Sequence, residues 1–244
     1  GKSFNALTGT PLARLRHKER WLDFAQSLKE GDTVRASAGR CDVAVGTAFR
    51  WRHRFLRALK TATAPLRGIV EADEPYLLDS RKGDRHLDRR PRKRGGKAAK
   101  RGLSREQVPI LVAADRSGTT LSAALAEVSA KAIQAVLEPA IDKDALLVTD
   151  GAAAYPRCAA DLGISHEALN QSAGERVRGD LHIQTVNNRH QRLKSFLAPF
   201  RGIATKYLPN YLRWFLCVGL APHPSSRACL NAALGLQPTV AVPS

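Results

Sequence analysis

Three short polar segments interrupt apolar stretches of the chain: GIVEADEPY around Asp73, ALLVTDGAAAY around Asp150, and HIQTVNNRHQRLK around Asn187. Asp73 and Asp150 each close a β-rich run, IVEAD and LLVTD. If those strands are neighbours, the two carboxylates meet at one edge of a sheet. There they repel, and one tends to protonate unless a divalent cation neutralises both. Mg²⁺ takes one or two carboxylates together with waters and substrate phosphates. Two such ions about 3.5–4 Å apart stabilise both the attacking and the leaving oxygen of an in-line displacement. That chemistry is phosphoryl transfer on a nucleic-acid backbone, and it needs few protein groups because positioning and charge stabilisation do most of the catalysis. Each acid also has an ordinary explanation, since Asp150 precedes Gly151 at a strand end and Asp73 stands in a cluster with Glu71 and Glu74. Alternation puts Glu71 and Asp73 on one face and Glu74 on the other. Two acids on one face of a basic protein favour the metal site.

The third segment has helical periodicity. Asn187, His190, Gln191 and Lys194 fall at i, i+3, i+4 and i+7, with Val186, Leu193 and Leu197 on an adjoining apolar stripe. An amide oxygen can ligate a hard cation without bringing charge. By itself the segment reads as an ordinary amphipathic helix.

The elements that would hold these residues follow from periodicity and charge. The chain has 244 residues, is 43% hydrophobic and 25% charged, and carries a formal charge of +17. That length allows one large domain or two moderate ones. The charge is concentrated in two blocks: +9 over residues 1–67, −4 over 68–79, +10 over 80–105, and +2 over the rest. Basic blocks of this kind are an electrostatic footprint for a polyanion, nucleic acid before membrane. Cys41, Cys158, Cys217 and Cys229 show no paired spacing and read as reduced, mostly buried thiols. No run is long enough to span a membrane, no signal peptide is visible, and a cytoplasmic, nucleoid-associated location is expected. The lack of any methionine suggests that residues are missing upstream of Gly1.

Residues 1–18 are irregular. Trp21, Leu22, Ala25 and Leu28 then share a helical face that Gly31 is placed to end, a short helix covers about Thr33–Ala38, and a third starts with Asp42 as N-cap. This outlines a helix-turn-helix over 19–60. Val45, Phe49 and Leu56 are expected to line its apolar seam, leaving Arg50, Arg52, His53, Arg54 and Arg57 for phosphates. From Gly68 the period changes. Strands are expected over Gly68–Leu78, Pro109–Asp115, Thr119–Ala126, Ala145–Thr149 and Ile164–Leu169, with helices over Lys131–Ile141, Ala152–Leu162, Thr185–Leu197 and Thr205–Cys217. Strands first in a meander and then alternating with helices imply a mixed α/β sheet covered by helices. Between the first two strands, residues 80–105 hold almost nothing apolar and read as a mobile basic insertion. Arg92, Lys93 and Arg94 are its candidate DNA contacts.

Taken together and in this order, VEADEPY at 70–76, VTDGAAAY at 148–155, HIQTVNNRHQRLKSFL at 182–197 and RGIATKYLPNYLRWF at 201–215 resemble the ISXO-like bacterial insertion-sequence DDE transposases. The resemblance runs from about Gly68 to Phe215. It implies an RNase H-like catalytic domain over 68–217 with the basic insertion 80–105, preceded by a small all-α helix-turn-helix domain and followed by a C-terminal tail at 218–244. It also implies that Asp73 and Asp150 are the first two catalytic acids and metal ligands. The third position falls five residues after His182, on Asn187, with Asn188 as the alternate. Many relatives carry Glu there, which makes this chain an Asp-Asp-Asn variant. Residues 1–18 resemble the tail of a zinc ribbon whose ligands are absent, so no structural zinc is expected.

The function so implied is Mg²⁺-dependent strand cleavage and transfer at the inverted repeats of an insertion sequence, with Mn²⁺ able to substitute for Mg²⁺. Arg192 and Lys194 would contact phosphate. The expected partners are terminal inverted repeats and target duplex, no membrane, and a second copy of the chain when two ends are paired. The alternatives are a catalytically inactive DNA-binding protein derived from a transposase, or an RNase H-like nuclease.

Overall fold

The computed structural model describes residues 5, 7–59, 64–92, 95–100, 104–170, 173–220 and 225–234. In chain order its helices are α1 (Trp21–Lys29), α2 (Val34–Arg40), α3 (Val45–Ala58), α4 (Ala130–Leu137), α5 (Ala154–Leu162), α6 (Gln184–Leu197), α7 (Leu208–Trp214) and α8 (Ser226–Leu234). The strands are β1 (Ile69–Asp73), β2 (Tyr76–Leu78), β3 (Gln107–Asp115), β4 (Thr120–Ala124), β5 (Leu146–Thr149), β6 (Ser165–Ala168), β7 (Val177–Arg178) and β8 (Leu181–His182). They divide into two compact units, one from within Gly1–Ala62 and Asn210–Pro243, the other from within Thr63–Pro209.

The first unit is all-α. α1, α2 and α3 enclose Trp21, Phe24, Trp51 and Phe55, whose rings meet edge to face. α8 packs on α1 and α3, so part of the sequence expected as a tail builds this core. The expected seam of α3 is rotated. Ala48, Trp51, Phe55 and Leu56 are buried, whereas Val45 and Phe49 are 50% and 39% exposed. The large rings at 51 and 55 win the interior because they remove more apolar surface from water. Asp42 does not cap α3: it has φ 46°, and the N-cap position is Ala44 with no side-chain bond.

Arg52 is the clearest correction. It was expected on the phosphate-facing side, and it is fully buried. Its Nη2 donates to the Asp32 carbonyl (2.5 Å) and Ser37 Oγ (3.1 Å), and its guanidinium lies 5.0 Å from the Trp214 ring centroid. Removing a buried, hydrogen-bonded cation strands its acceptors, so Arg52→Ala should cost this unit about 3 kcal/mol. Thermal unfolding checks this, with Arg54→Ala, at an exposed position, expected to leave the midpoint unchanged.

The second unit is built on one mixed sheet. β1 pairs antiparallel with β3, β4 pairs antiparallel on the far side of β3, β5 pairs parallel with β1, and β6 pairs parallel with β5. Three antiparallel strands followed by two parallel ones give the expected RNase H-like mixed sheet. The single strand expected over Gly68–Leu78 is broken at Glu74–Pro75, and β2 resumes along β3 at Tyr76↔Pro109. Proline has no N–H to give a ladder, and the break lets Glu74 leave it as well. Alternation sorts the faces. Val70, Ala72, Leu111, Ala113 and Leu147 join Ile133, Leu137, Tyr155, Cys158 and Leu162 of α4 and α5 in one core. Glu71 and Asp73 point to the other face, where α6 crosses β1 and β3. All four cysteines are free and buried.

Candidate active site

The strand register decides what Asp73 and Asp150 can do. Glu71 pairs with Val148 in the parallel β1–β5 ladder. Continuing that register two residues brings Asp73, the last residue of β1, level with Asp150, which directly follows β5, and the charge of Asp150 acts on Asp73; registered neighbours in a sheet project to the same side. The two carboxylates are therefore brought together, as expected, at the end of two adjacent strands. Asp73 is partly buried, and its Oδ1 accepts the Glu74 N–H at 2.8 Å. Asp150 is exposed, and its Oδ1 accepts the Ala152 N–H at 3.0 Å. Burial raises the Asp73 carboxyl above its ordinary value; the Glu74 N–H and Lys194 oppose this, while the charge of Asp150 adds to it. Each acid is thus held in place by a backbone donor, with negative charge left over.

α6 runs along β1 and is fixed to it at matching intervals. Val186 N donates to Glu71 Oε2 at 2.9 Å, and His190 Nδ1 lies 3.8 Å from Asp73 Oδ2. Four residues of helix advance about 6 Å and two residues of strand about 6.6 Å, so the two contacts share one register. Burial pushes the His190 imidazole down to about 4, which leaves it neutral beside Asp73 rather than in an ion pair. Lys194, one turn on, is exposed and acts on Asp73 electrostatically. Asn187 is exposed three residues before His190, on the same stripe of α6. Arg192 is exposed two residues from His190, away from that stripe, and opposes the charge of half-buried Arg189.

Several contacts of this site were not legible in the sequence. Glu71 is completely buried; its Oε1 ion-pairs with Arg116 Nη1 at 3.0 Å and lies 3.2 Å from His182 Nδ1. On the opposite face Tyr155 donates to Glu74 Oε1. Burial pushes Glu74 up to about 7, against that hydrogen bond and helped by Asp73 and Asp150. Tyr155 lies in the same VTDGAAAY segment as Asp150, but nothing in the spacing joins it to Glu74.

The other candidate DNA contacts separate into distinct settings. Arg50 and Arg54 are exposed on α3, with Arg54 Nη1 donating to the Pro11 carbonyl at 3.1 Å. His53 is half-buried, with Nδ1 3.3 Å from Asn210 Nδ2. The insertion has no helix or strand among its described residues, but it is tied down. Arg92 donates to the Asp79 carbonyl (2.6 Å) and Glu106 (3.1 Å), so it clamps the base of the loop. Lys93 and Arg94 lie outside the described residues.

The donor set fits a hard divalent cation: two carboxylates in register, with excess negative charge and an amide-bearing helix beside them. Among the described residues no group of three or more His, Cys, Asp or Glu side chains is placed to hold a metal. No helix among the described residues is long and apolar enough to cross a membrane.

The chain is similar to several known proteins. Residues 65–216 match the family model described as the ISXO2-like transposase domain. An uncharacterized protein in transposable element ISH50 of Halobacterium salinarum is 29% identical over 218 residues, covering 88% of this chain and 74% of the relative. The solved structures of the Mos1 strand transfer complex and of a pre-cleavage Mos1 transpososome are 15% and 14% identical. Each covers 89% of this chain, and they are covered over 79% and 80% of their own lengths, both with a TM-score of 0.27.

Proposed function

The chain belongs to the ISXO2-like transposase family, and on that premise we propose that it cleaves and transfers DNA strands at the inverted repeats of an insertion sequence with Mg²⁺ as cofactor. The observation that carries the proposal is the register of β1 and β5, which sets Asp73 beside Asp150 on the face covered by α6. Asp73, Asp150 and the Asn187 amide would hold the metal, which would neutralise the carboxylates and the charge on the transferring phosphate. Lys194 would bind a phosphate oxygen next to the reacting one. His190, neutral and largely buried, would exclude water and fix the Asp73 side of the site. α2, its four-residue turn and α3 would act as the helix-turn-helix. Arg50, Arg54 and Arg57 would meet phosphates, and exposed Val45 and Phe49 would meet base edges.

A strand-transfer assay tests this, with Mg²⁺ or Mn²⁺ and duplexes ending in the element's inverted repeat or in random sequence. Product from the repeat alone supports the reading, and no product from either sinks it. Binding should weaken steeply with salt, because basic side chains displace condensed counterions. Asn187→Glu is expected to retain or raise activity, since it adds ligand charge to a site that already accepts an amide. A fall of tenfold or more in its rate would remove Asn187 from the ligand set.

The uncharged third position also supports a second reading, a DNA-binding protein without catalysis. Calorimetric silence with Mg²⁺ and Mn²⁺, alongside tight duplex binding, would favour it.

A further inference from the structure

Within the second unit lies a cavity of about 830 Å³, lined in part by Lys194, that the transposase reading leaves unused. Its floor is the end of α6 and the segment after it, with Leu197, Ile203 and Leu208. Its walls are Leu77 and Val108 of β2 and β3, and its roof is the start of the basic insertion, with Leu87. The roof is fastened to the floor. Ser80 N donates to Thr205 Oγ1 (2.9 Å), Thr205 N donates to the Ser80 carbonyl (2.8 Å), and Lys82 Nζ donates to the Gly202 carbonyl (2.9 Å). The volume is thus built by specific bonds, and its size is that of a ligand site.

The lining has two characters. Inside it is aliphatic, with Leu77, Leu87, Val108, Leu197, Ile203 and Leu208. Around it stand Arg81, Lys82, Arg89, Arg92, Lys194 and Arg201, against only Asp79 and Asp84. An apolar interior with a cationic surround suits a planar heterocycle attached to a phosphate. Lys194 joins this cavity to the catalytic face, because it lines the cavity and also acts on Asp73. It stands one helical turn beyond His190. A group seated in the cavity therefore shares Lys194 with whatever phosphate lies at Asp73.

We propose that this cavity is a nucleotide subsite that receives the base next to the scissile phosphate, extruded from the duplex. The inference rests on the strand-cleavage reading and deepens it. Extrusion costs stacking and pairing, which burial of the base face and phosphate contacts offset. It also bends the strand so that the next phosphate is presented to Asp73 and Asp150. Among the described residues no aromatic ring lines the cavity, so the subsite takes a base without stacking preference among the four.

Two fluorescence measurements on the full chain test it. In the first, 2-aminopurine deoxyribonucleoside 5′-monophosphate is titrated into the protein. Saturable binding is expected, weakened at least tenfold in Leu87→Glu and in Ile203→Glu, with Leu87→Gln intermediate. Thermal melting establishes that each variant is folded. In the second, 2-aminopurine is placed in turn at each position within three nucleotides of the cut in inverted-repeat duplex, without metal. A severalfold rise in emission at one position is expected, lost in both glutamate variants, with cleavage partly restored by a mismatch at that position. Wild-type cleavage with no rise anywhere in the scan overturns the subsite and leaves the transposase reading standing. No cleavage of any repeat sinks that reading, and equal mononucleotide binding by wild type and both glutamate variants overturns the cavity on its own.

Discussion

Asp73→Asn and Asp150→Asn are each expected to reduce strand cleavage by about 10³-fold or more while leaving duplex affinity and thermal midpoint close to wild type. A 10³-fold loss corresponds to about 4 kcal/mol of transition-state stabilisation. The substitution keeps side-chain volume and leaves an oxygen to accept the Glu74 or Ala152 N–H, so the fold has little reason to respond. What is lost is charge. The two carboxylates stand close together, and burial first and then the charge of Asp150 raise the cost of ionising partly buried Asp73. Groups that act as one unit lose nearly everything at the first substitution, so the double variant should be little worse than either single one. Cleavage measured on inverted-repeat duplex checks both statements. Retention of more than a tenth of wild-type activity by either variant would remove that residue from the catalytic pair, and full additivity would show that the acids work separately.

The proximity of Asp73 and Asp150, the proposed catalytic pair, was legible for a physical reason. An acid at the end of an apolar β-run is locally conspicuous, and alternation with period two assigns its face without any knowledge of partners. Glu71 and Asp73 were placed correctly on one face in this way, with Glu74 on the other. The residues that meet these acids were not legible, because they arrive from far along the chain. Arg116 follows the hairpin partner, Val186 offers only a backbone N–H, and Tyr155 reaches Glu74 from the next helix. Arg52 failed in the opposite direction. Its neighbours Arg50, His53 and Arg54 make the segment look uniformly basic, and only Trp214, more than 160 residues later, shows that position 52 faces inward. Pro75 carried a readable signal, since a residue without an N–H marks an interruption in a strand. The basic insertion was read as mobile from composition alone, whereas Arg92, Lys82 and Ser80 hold its described base through bonds to carbonyls and to Thr205 that composition cannot reveal.

Glu71 sets how firmly α6 is seated, and its removal should have the largest effect on stability of any single change in the second unit. α6 starts at Gln184 from Ile183, which offers no side-chain cap. A helix start leaves its first N–H groups unpaired, and here the usual Ser, Thr, Asp or Asn is missing. His182 Nδ1 receives the Gln184 N–H at 3.2 Å, and Glu71 receives that of Val186 from the neighbouring strand. Glu71 therefore does from β1 what an N-cap does locally, and its charge lies favourably at the positive end of the helix dipole. The same carboxylate faces Arg116 and His182 with no exposure to solvent. Glu71→Ala would strand a buried N–H and leave a cation without its partner, a loss of about 3–5 kcal/mol. Glu71→Gln keeps an acceptor for Val186 and should lose clearly less. Denaturant unfolding of both variants checks the order. Cleavage should fall further in Glu71→Ala than in Glu71→Gln even at temperatures where both are folded, because Asn187, His190 and Lys194 ride on the helix this carboxylate anchors. If Glu71→Ala unfolds within 1 kcal/mol of wild type, the anchor is not Glu71, and the match in register between α6 and β1 must be held by the packing of Val186, Leu193 and Leu197 instead.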